Sequence, residues 1–523
     1  MSFAVKVEGE RSKGMGEREQ RVIRERRRIQ RGGPPRGHQK QAEAGKKFVR
    51  DRLALFFDDG GPYTEFGQFA RWPDEELPGD GVVTGTGRID GRTVFFAAND
   101  FTVKAGSIGR YHGEKLVRAQ EAALRARKPM LYLVDSSGAR IDETGGHHVD
   151  KGSAGKLFYM HSIMSGSVPQ VGVLYGTCFA GTAYTPVFTD LLVMMSDSAM
   201  AIASPRMVEM AIGQKVGPRE LGGAQVHLKN GSAHFVVDSE EEAGALVRRI
   251  FSYLPDSSEN SPPPGEFREP ALDPADIDEI IPADPNRPYD VHLLIDAVVD
   301  QDSFLEVKAG YADELVTGFA RLGGRVIGVV ANQPAVKGGT LFPESSDKGA
   351  EFVWMCDAYN IPLLFLVDTP GFMVGTAVEK NAILRRGRKF IFATSCATVP
   401  RICVVVRKAY GAGIYAMSGP AYDPELTLAL PSAEIAVMGP EAAINAVYFN
   451  KLQAVEDPVE RERLVARLRE EYRAGYDIFK LAGQMVVDEL IPPRELRNEL
   501  LRYFEIYTDK KISLPPRKHA TIL

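Results

Sequence analysis

Four glycine-bearing turns, each following a short apolar run, hold the residues in this 523-residue sequence whose types and spacing could do chemistry. The first pair is Asp135-Ser136-Ser137-Gly138-Ala139-Arg140 and Asp368-Thr369-Pro370-Gly371-Phe372. The second pair is Tyr175-Gly176-Thr177-Cys178-Phe179-Ala180-Gly181-Thr182-Ala183-Tyr184 and Ala409-Tyr410-Gly411-Ala412-Gly413-Ile414-Tyr415. Small residues at a strand-to-helix turn let another group approach the backbone closely. They also leave amides at a helix start unpaired, with the positive end of the helix dipole behind them. Two such amides aimed at one point stabilise a developing oxyanion, and losing one donor typically costs about 3–4 kcal/mol of barrier. Tight turn packing explains any one of these turns as well. Four turns at equivalent places in two halves favour the chemical reading.

Competing chemistry finds little support. There is no GxxxxGK[ST] loop and no convincing GxGxxG after a strand, so nucleotide binding is not expected. There is no GxSxG elbow. His147-His148 is the only adjacent histidine pair, lacks a ligand pattern and reads as a surface or interface feature, with no metal expected. Four cysteines (Cys178, Cys356, Cys396, Cys403) without CxxC spacing suggest a reduced, cytoplasmic compartment. A net charge of −5 predicts no general affinity for nucleic acid or anionic membrane. The N-terminus carries Glu8 and Glu10 and no apolar h-region, so no secretory signal is expected. Leu157 to Thr189 contains no Lys, Arg, Asp or Glu, but Gly, Ser, Thr and Pro interrupt it repeatedly. It reads as a buried strand, a glycine turn and a helix rather than a membrane span.

The elements that must position these turns show themselves through an internal repeat. Val83 to Gly138 aligns without gaps onto Val316 to Gly371 at a constant offset of 233, with 18 of 56 positions identical. Val83-Thr84-Gly85 matches Val316-Thr317-Gly318, Lys115 matches Lys348, and Leu133-Val134-Asp135 matches Leu366-Val367-Asp368. One register held over such a span indicates two duplicated domains, and the period is too long for a solenoid. Thr93 to Ala98 and Met130 to Val134 read as buried strands, with a helical segment at Glu114 to Arg127 between them. Strands alternating with helices make each half α/β. Arg18 to Arg52 reads as one or two solvated helices interrupted at Gly32-Gly33-Pro34-Pro35. The prolines between Asp256 and Pro288 mark a linker without regular structure.

On these residues the sequence resembles the carboxyltransferase (β) subunits of propionyl-CoA and 3-methylcrotonyl-CoA carboxylases and the matching subunit of transcarboxylase. The resemblance runs from about Asp51 to the C-terminus. It rests on Asp80-Gly81-Val82-Val83-Thr84-Gly85, the Asp135 turn, Ile361-Pro362-Leu363 leading to Val367-Asp368-Thr369-Pro370-Gly371-Phe372, Arg407-Lys408-Ala409-Tyr410-Gly411, and Ala433-Glu434-Ile435-Ala436-Val437-Met438-Gly439. It implies an α/β protein of two tandem crotonase-like (ClpP/crotonase) βα-superhelix domains related by internal duplication. A helical extension (1–50) would precede an acyl-CoA domain (51–262), a linker (263–288) and a biotin domain (289–523).

The resemblance further implies an acyl oxyanion hole at Gly138, Ala139, Ala180, Gly181 and Thr182. A biotin oxyanion hole would lie at Gly371, Phe372, Ala412 and Gly413, with Ile414 and Tyr415 in the substrate pocket. The active site would form between the N-domain of one subunit and the C-domain of another, in a homo-hexamer built as a trimer of dimers. Carboxybiotin would arrive on a partner chain, since the sequence holds neither an Ala-Met-Lys-Met motif nor an ATP loop. A biotin carboxylase and biotin carboxyl carrier subunit is therefore the expected partner, and an acyl-CoA thioester the expected substrate. Ala180-Gly181 and the Gly411-Ala412-Gly413-Ile414-Tyr415 run depart from the propionyl pattern toward the methylcrotonyl one, whereas Asp368-Thr369-Pro370 follows the propionyl type. Tyr415 stands where the propionyl family has an aspartate. The alternatives are a biotin-dependent decarboxylase or transcarboxylase subunit, or a non-catalytic scaffold of the same fold.

Overall fold

Two hairpins of the same design start the two halves. Asp90 and Gly91 have φ of 50° and 74°, and Gly323 and Gly324 have 62° and 77°. Positive φ at both central residues is what a two-residue type I′ turn requires. The Asp58 carboxylate accepts the amides of Asp90 and Gly91 at 3.0 and 2.8 Å, and Asp300 accepts those of Gly323 and Gly324 at 2.9 and 2.6 Å. The computed structural model describes residues 16–144, 148–152, 154–517 and 520–522, so Glu8, Glu10 and His147 lie outside the described residues.

The chain divides into two units. The first takes residues up to His227 plus Phe235–Phe251, and the second takes Leu228–His234 and everything from Ser252. The first unit holds β1 (Thr64–Phe66), β2 (Val82–Ile89), β3 (Arg92–Asn99), β4 (Met130–Val134), β5 (Gln170–Leu174), β6 (Thr177–Phe179), β7 (Leu191–Met195), β8 (Ala199–Ala201) and β9 (Phe235–Val237). Its main sheet has the order β1-β2-β3-β4-β5-β7-β9, while β6 pairs with β8 apart from it. The second unit holds β10 (Leu305–Glu306), β11 (Leu315–Leu322), β12 (Arg325–Asn332), β13 (Leu363–Thr369), β14 (Arg401–Tyr410), β15 (Leu426–Ala429), β16 (Glu434–Ala436) and β17 (Glu489–Leu490). Its order is β10-β11-β12-β13-β14-β15-β17, with β16 on the end of β14.

The repeat seen in the sequence is repeated in the hydrogen-bond register. Val83 pairs with Ala98 as Val316 pairs with Ala331, and Phe95 pairs with Met130 as Gly328 pairs with Leu363. From β3 onward the first sheet is parallel, and β4, β5 and β7 are buried at every position. Parallel strands covered on both faces read as unbroken apolar runs, which is how these strands stand in the sequence.

Two expectations need correcting. The basic stretch forms helices Glu17–Gln30 and Pro35–Glu43, largely exposed as expected, and a third, Val49–Leu53, that is not solvated. Ile29, Gln41, Val49, Arg52 and Leu53 are buried, and the Arg52 guanidinium lies 2.8 Å from Glu240 and 3.6 Å from Asp135. At Arg52 two buried carboxylates, not solvent, meet the charge. The proline-rich segment carries a helix at Ile277–Ile280 whose Ile277 is fully buried, so it is not without regular structure. Among the described residues no helix is long and apolar enough to cross a membrane.

Candidate functional site

The first pair of turns begins where β4 and β13 run out. Asp135 and Asp368, each 1% exposed, sit at these ends. Lys46 reaches Asp135 at 2.7 Å, and Arg407 and Lys408 reach Asp368 at 2.7 and 3.2 Å. The backbone N–H of each aspartate donates to an asparagine of the preceding strand: Asp135 to Asn99 at 3.3 Å and Asp368 to Asn332 at 3.1 Å. The chain then passes Gly138 (φ 116°) and Gly371 (φ 111°), a conformation that side chains strain.

Beyond each glycine one bridge holds the backbone extended. Ile108 donates to the Gly138 carbonyl and Arg140 donates back to Ile108, both at 2.9 Å. Leu341 donates to Gly371 at 3.0 Å and Met373 donates to Leu341 at 2.8 Å. These bridges leave the N–H groups of Ala139 and Phe372 with no acceptor among the described residues. The N–H groups of Gly138 and Gly371 are different, donating to Ser136 Oγ at 3.3 Å and Thr369 Oγ1 at 3.1 Å. The structure thus separates the nominated residues: Ala139 and Phe372 keep donors to offer, while Gly138 and Gly371 shape the turn.

Strand pairing and backbone conformation fix the register of the second pair of turns. Phe179 at the end of β6 pairs with Ala201 of β8, and Tyr410 at the end of β14 pairs with Ala436 of β16. The next residue has positive φ in both, Ala180 at 59° and Gly411 at 56°. Gly181 is therefore the counterpart of Ala412, and Thr182 of Gly413. Tyr175-Gly176 lies further back, just past β5, and has no part in this turn. Gly181 and Thr182 head a 3-10 turn (Ala180–Ala183), and Gly413 heads a helix of only four residues (Gly413–Ala416). First-turn N–H groups have no intrahelical acceptor. The Ala412 N–H also finds no acceptor among the described residues, whereas Gly411 donates to Ala436 at 3.0 Å. One turn of helix sums few peptide dipoles, so these amides act as individual donors rather than through the macrodipole expected from the sequence.

In the first unit the two turns meet. Ala139, Gly181 and Thr182 line one cavity of about 460 Å³, together with Ile108, Leu157, Phe158 and Thr185. His148, half of the histidine pair, also lines it. Gly138 and Ala180 do not. In the second unit Ile414 is buried, and Tyr415 is 42% exposed with its ring stacked on Tyr422 at 5.3 Å. Burial pushes the Cys178 thiol up to about 12, so it is no thiolate nucleophile at neutral pH. Among the described residues no group of three or more His, Cys, Asp or Glu could hold a metal ion. The chemistry left to this cavity is that of backbone N–H donors in an apolar surrounding.

Sequence reasoning missed Ile108 and Phe158. A signal for the first was available. A Cβ on Gly106 would lie 1.9 Å from the Asp135 carbonyl, and one on Gly339 would lie 2.4 Å from that of Asp368. These two glycines are identical partners in the repeat, and they allow the bridge at Ile108 and Leu341 to form.

A buried histidine stacked on the Phe188 ring also predicts acid sensitivity. His161 is fully buried, with Nδ1 2.8 Å from Gln170 Oε1 and its ring stacked on Phe188 at 5.6 Å. Burial disfavours its charged form and lowers its pKa to about 4. As pH falls the unfolded chain takes this proton first, so the contribution is full above pH 6.5 and is lost on approach to pH 4. The loss amounts to roughly 3 kcal/mol. Denaturant unfolding measured from pH 7 to 4 should show that decline, and His161→Gln should flatten it.

The carboxyl transferase domain family matches residues 40–522. The uncharacterized carboxylase YngE of Bacillus subtilis is 48% identical over 494 residues, covering 94% of this chain and 96% of the relative. The propionyl-CoA carboxylase carboxyltransferase subunit of Haloferax mediterranei is 40% identical over 493 residues, covering 92% and 94%. Among solved structures, the transcarboxylase 12S hexamer with methylmalonyl-coenzyme A and methylmalonic acid bound superposes with a TM-score of 0.91 at 38% identity, covering 97% of this chain and 98% of that one.

Proposed function

The chain belongs to the carboxyl transferase family, with two crotonase-like α/β halves that reflect duplication, and from that premise we propose that the first half takes the acyl-CoA and the second takes carboxybiotin. The protein is the carboxyltransferase subunit of a biotin-dependent acyl-CoA carboxylase, transferring CO2 to the α (or vinylogous γ) carbon of an acyl-CoA. The observation that carries the division of labour is the meeting of Ala139 with Gly181-Thr182 in one apolar cavity.

In this reading the Ala139 and Gly181 amides receive the thioester oxygen as negative charge builds on it. Preorganised donors in a dry site need no reorganisation at that moment. Phe372 and Ala412 carry N–H groups without acceptors among the described residues, at the steps equivalent to Ala139 and Gly181, which suits a ureido carbonyl oxygen as ligand. When bound, carboxybiotin supplies the CO2 and a ureido group able to take the α-proton. The chain itself positions the thioester and excludes water, which is why no side-chain base is required of it. A biotin carboxylase and biotin carboxyl carrier subunit brings the charged cofactor, and the working assembly is a cytoplasmic homo-hexamer, a trimer of dimers.

Radiolabelled bicarbonate, ATP and a biotinylated partner should put label into one or more of acetyl-, propionyl-, butyryl- and methylcrotonyl-CoA. No label in any of them, with several partners, would overturn the assignment. Net loss of carboxyl from a carboxylated acyl-CoA would instead make the chain a decarboxylase subunit.

A further inference from the structure

We propose that Phe158 sets the size of the acyl group that this subunit accepts. The inference rests on the reading of the first-unit cavity as the acyl-CoA site. Phe158 lines the same cavity as Ala139 and Gly181. Among the described residues, the one non-neighbouring heavy atom within 4 Å of a Cβ placed on Gly181 is the Cζ of Phe158, at 3.9 Å.

The ring is held in place from behind. It meets Tyr184 edge-on at 5.4 Å and Phe188 at 6.3 Å, and Phe188 is itself stacked on His161. A ring packed among other aromatic rings does not swing aside for a longer chain without disturbing them. The rest of the lining near it, Leu157 and Ile108, is buried and aliphatic, and no Lys or Arg is among the described lining residues. On the side of Phe158, Leu157 and Ile108 a saturated chain would find carbon.

The test is the ratio of kcat/KM for octanoyl-CoA to that for propionyl-CoA, measured on the assembled enzyme with a charged biotinyl partner. A pocket that admits or rejects one methylene discriminates by about 10–200-fold. Phe158→Ala should raise the ratio at least about tenfold, and Phe158→Leu should raise it by less. If F158A does not fold, F158L carries the comparison alone. A purely structural ring would lower all rates together, and an unchanged ratio overturns the proposal. Wild-type enzyme that carboxylates no acyl-CoA at all would remove the reading of the cavity itself, a result distinct from an unchanged ratio.

Discussion

Gly181→Val should reduce carboxyl transfer by at least about 10²–10³-fold while leaving the fold and its stability close to wild type. The expectation follows from what surrounds this glycine. Its φ is not in the left-handed region, so the backbone does not need glycine. Among the described residues a Cβ there meets only the Phe158 ring, at an ordinary van der Waals distance. The space in front of residue 181 belongs to the cavity shared with Ala139. A valine would fill that space, covering the Gly181 amide and barring the thioester oxygen from it. Overpacking penalties of roughly 1–3 kcal/mol arise when added methyls meet well-packed neighbours, and the space at residue 181 is cavity rather than packed core. Steady-state transfer rates, thermal unfolding and size-exclusion chromatography of G181V decide the matter. A variant with near-normal turnover would remove this loop from the acyl site.

Gly413→Ala should be almost as damaging to transfer, for the opposite reason. A Cβ on Gly413 would lie 2.8 Å from Gly371 Cα and 3.0 Å from Thr369 Cγ2. Contacts that short force the start of the Gly413–Ala416 helix away from the Asp368 turn. The Phe372 and Ala412 amides, which belong to these two segments, would no longer hold their present relation. On the proposed assignment this disables the ureido side of the reaction and spares acyl-CoA binding. Transfer should fall by about 10²-fold or more, with a stability cost of roughly 1–3 kcal/mol. The acyl-CoA dissociation constant, measured by calorimetry, should stay within a few-fold of wild type. Loss of acyl-CoA binding together with transfer would contradict the separation of roles between the halves.

The two glycines differ because they are not counterparts. Gly181 corresponds to Ala412, and Gly413 corresponds to Thr182, whose hydroxyl donates to the Phe179 carbonyl at 2.7 Å and so braces its turn from within. Sequence alignment at a constant offset could not show this. Tyr410 follows Phe179 by 231 positions, against 233 in the aligned segment. The two-residue difference arises between Gly138 and Val168, since Val168-Pro169 already matches Val399-Pro400 at the offset of 231.

The sequence by itself determined the duplication, the α/β class, the strands β3 and β4 and the location of all four turns. These rest on local information: apolar runs of strand length, turn residues such as Asp90-Gly91, and glycines where φ must be positive. Only the tertiary structure decided which amides stay available. That choice depends on hydrogen bonds to residues distant in the chain, such as Ile108 to Gly138, and on hydroxyls such as Ser136 that capture the glycine amide beside them. It also decided that the basic N-terminal helices end in buried ion pairs, because Asp135 and Glu240 lie far from Arg52 in sequence and beside it in space. A donor is free or spent according to its three-dimensional neighbours, and no pattern along the chain records that.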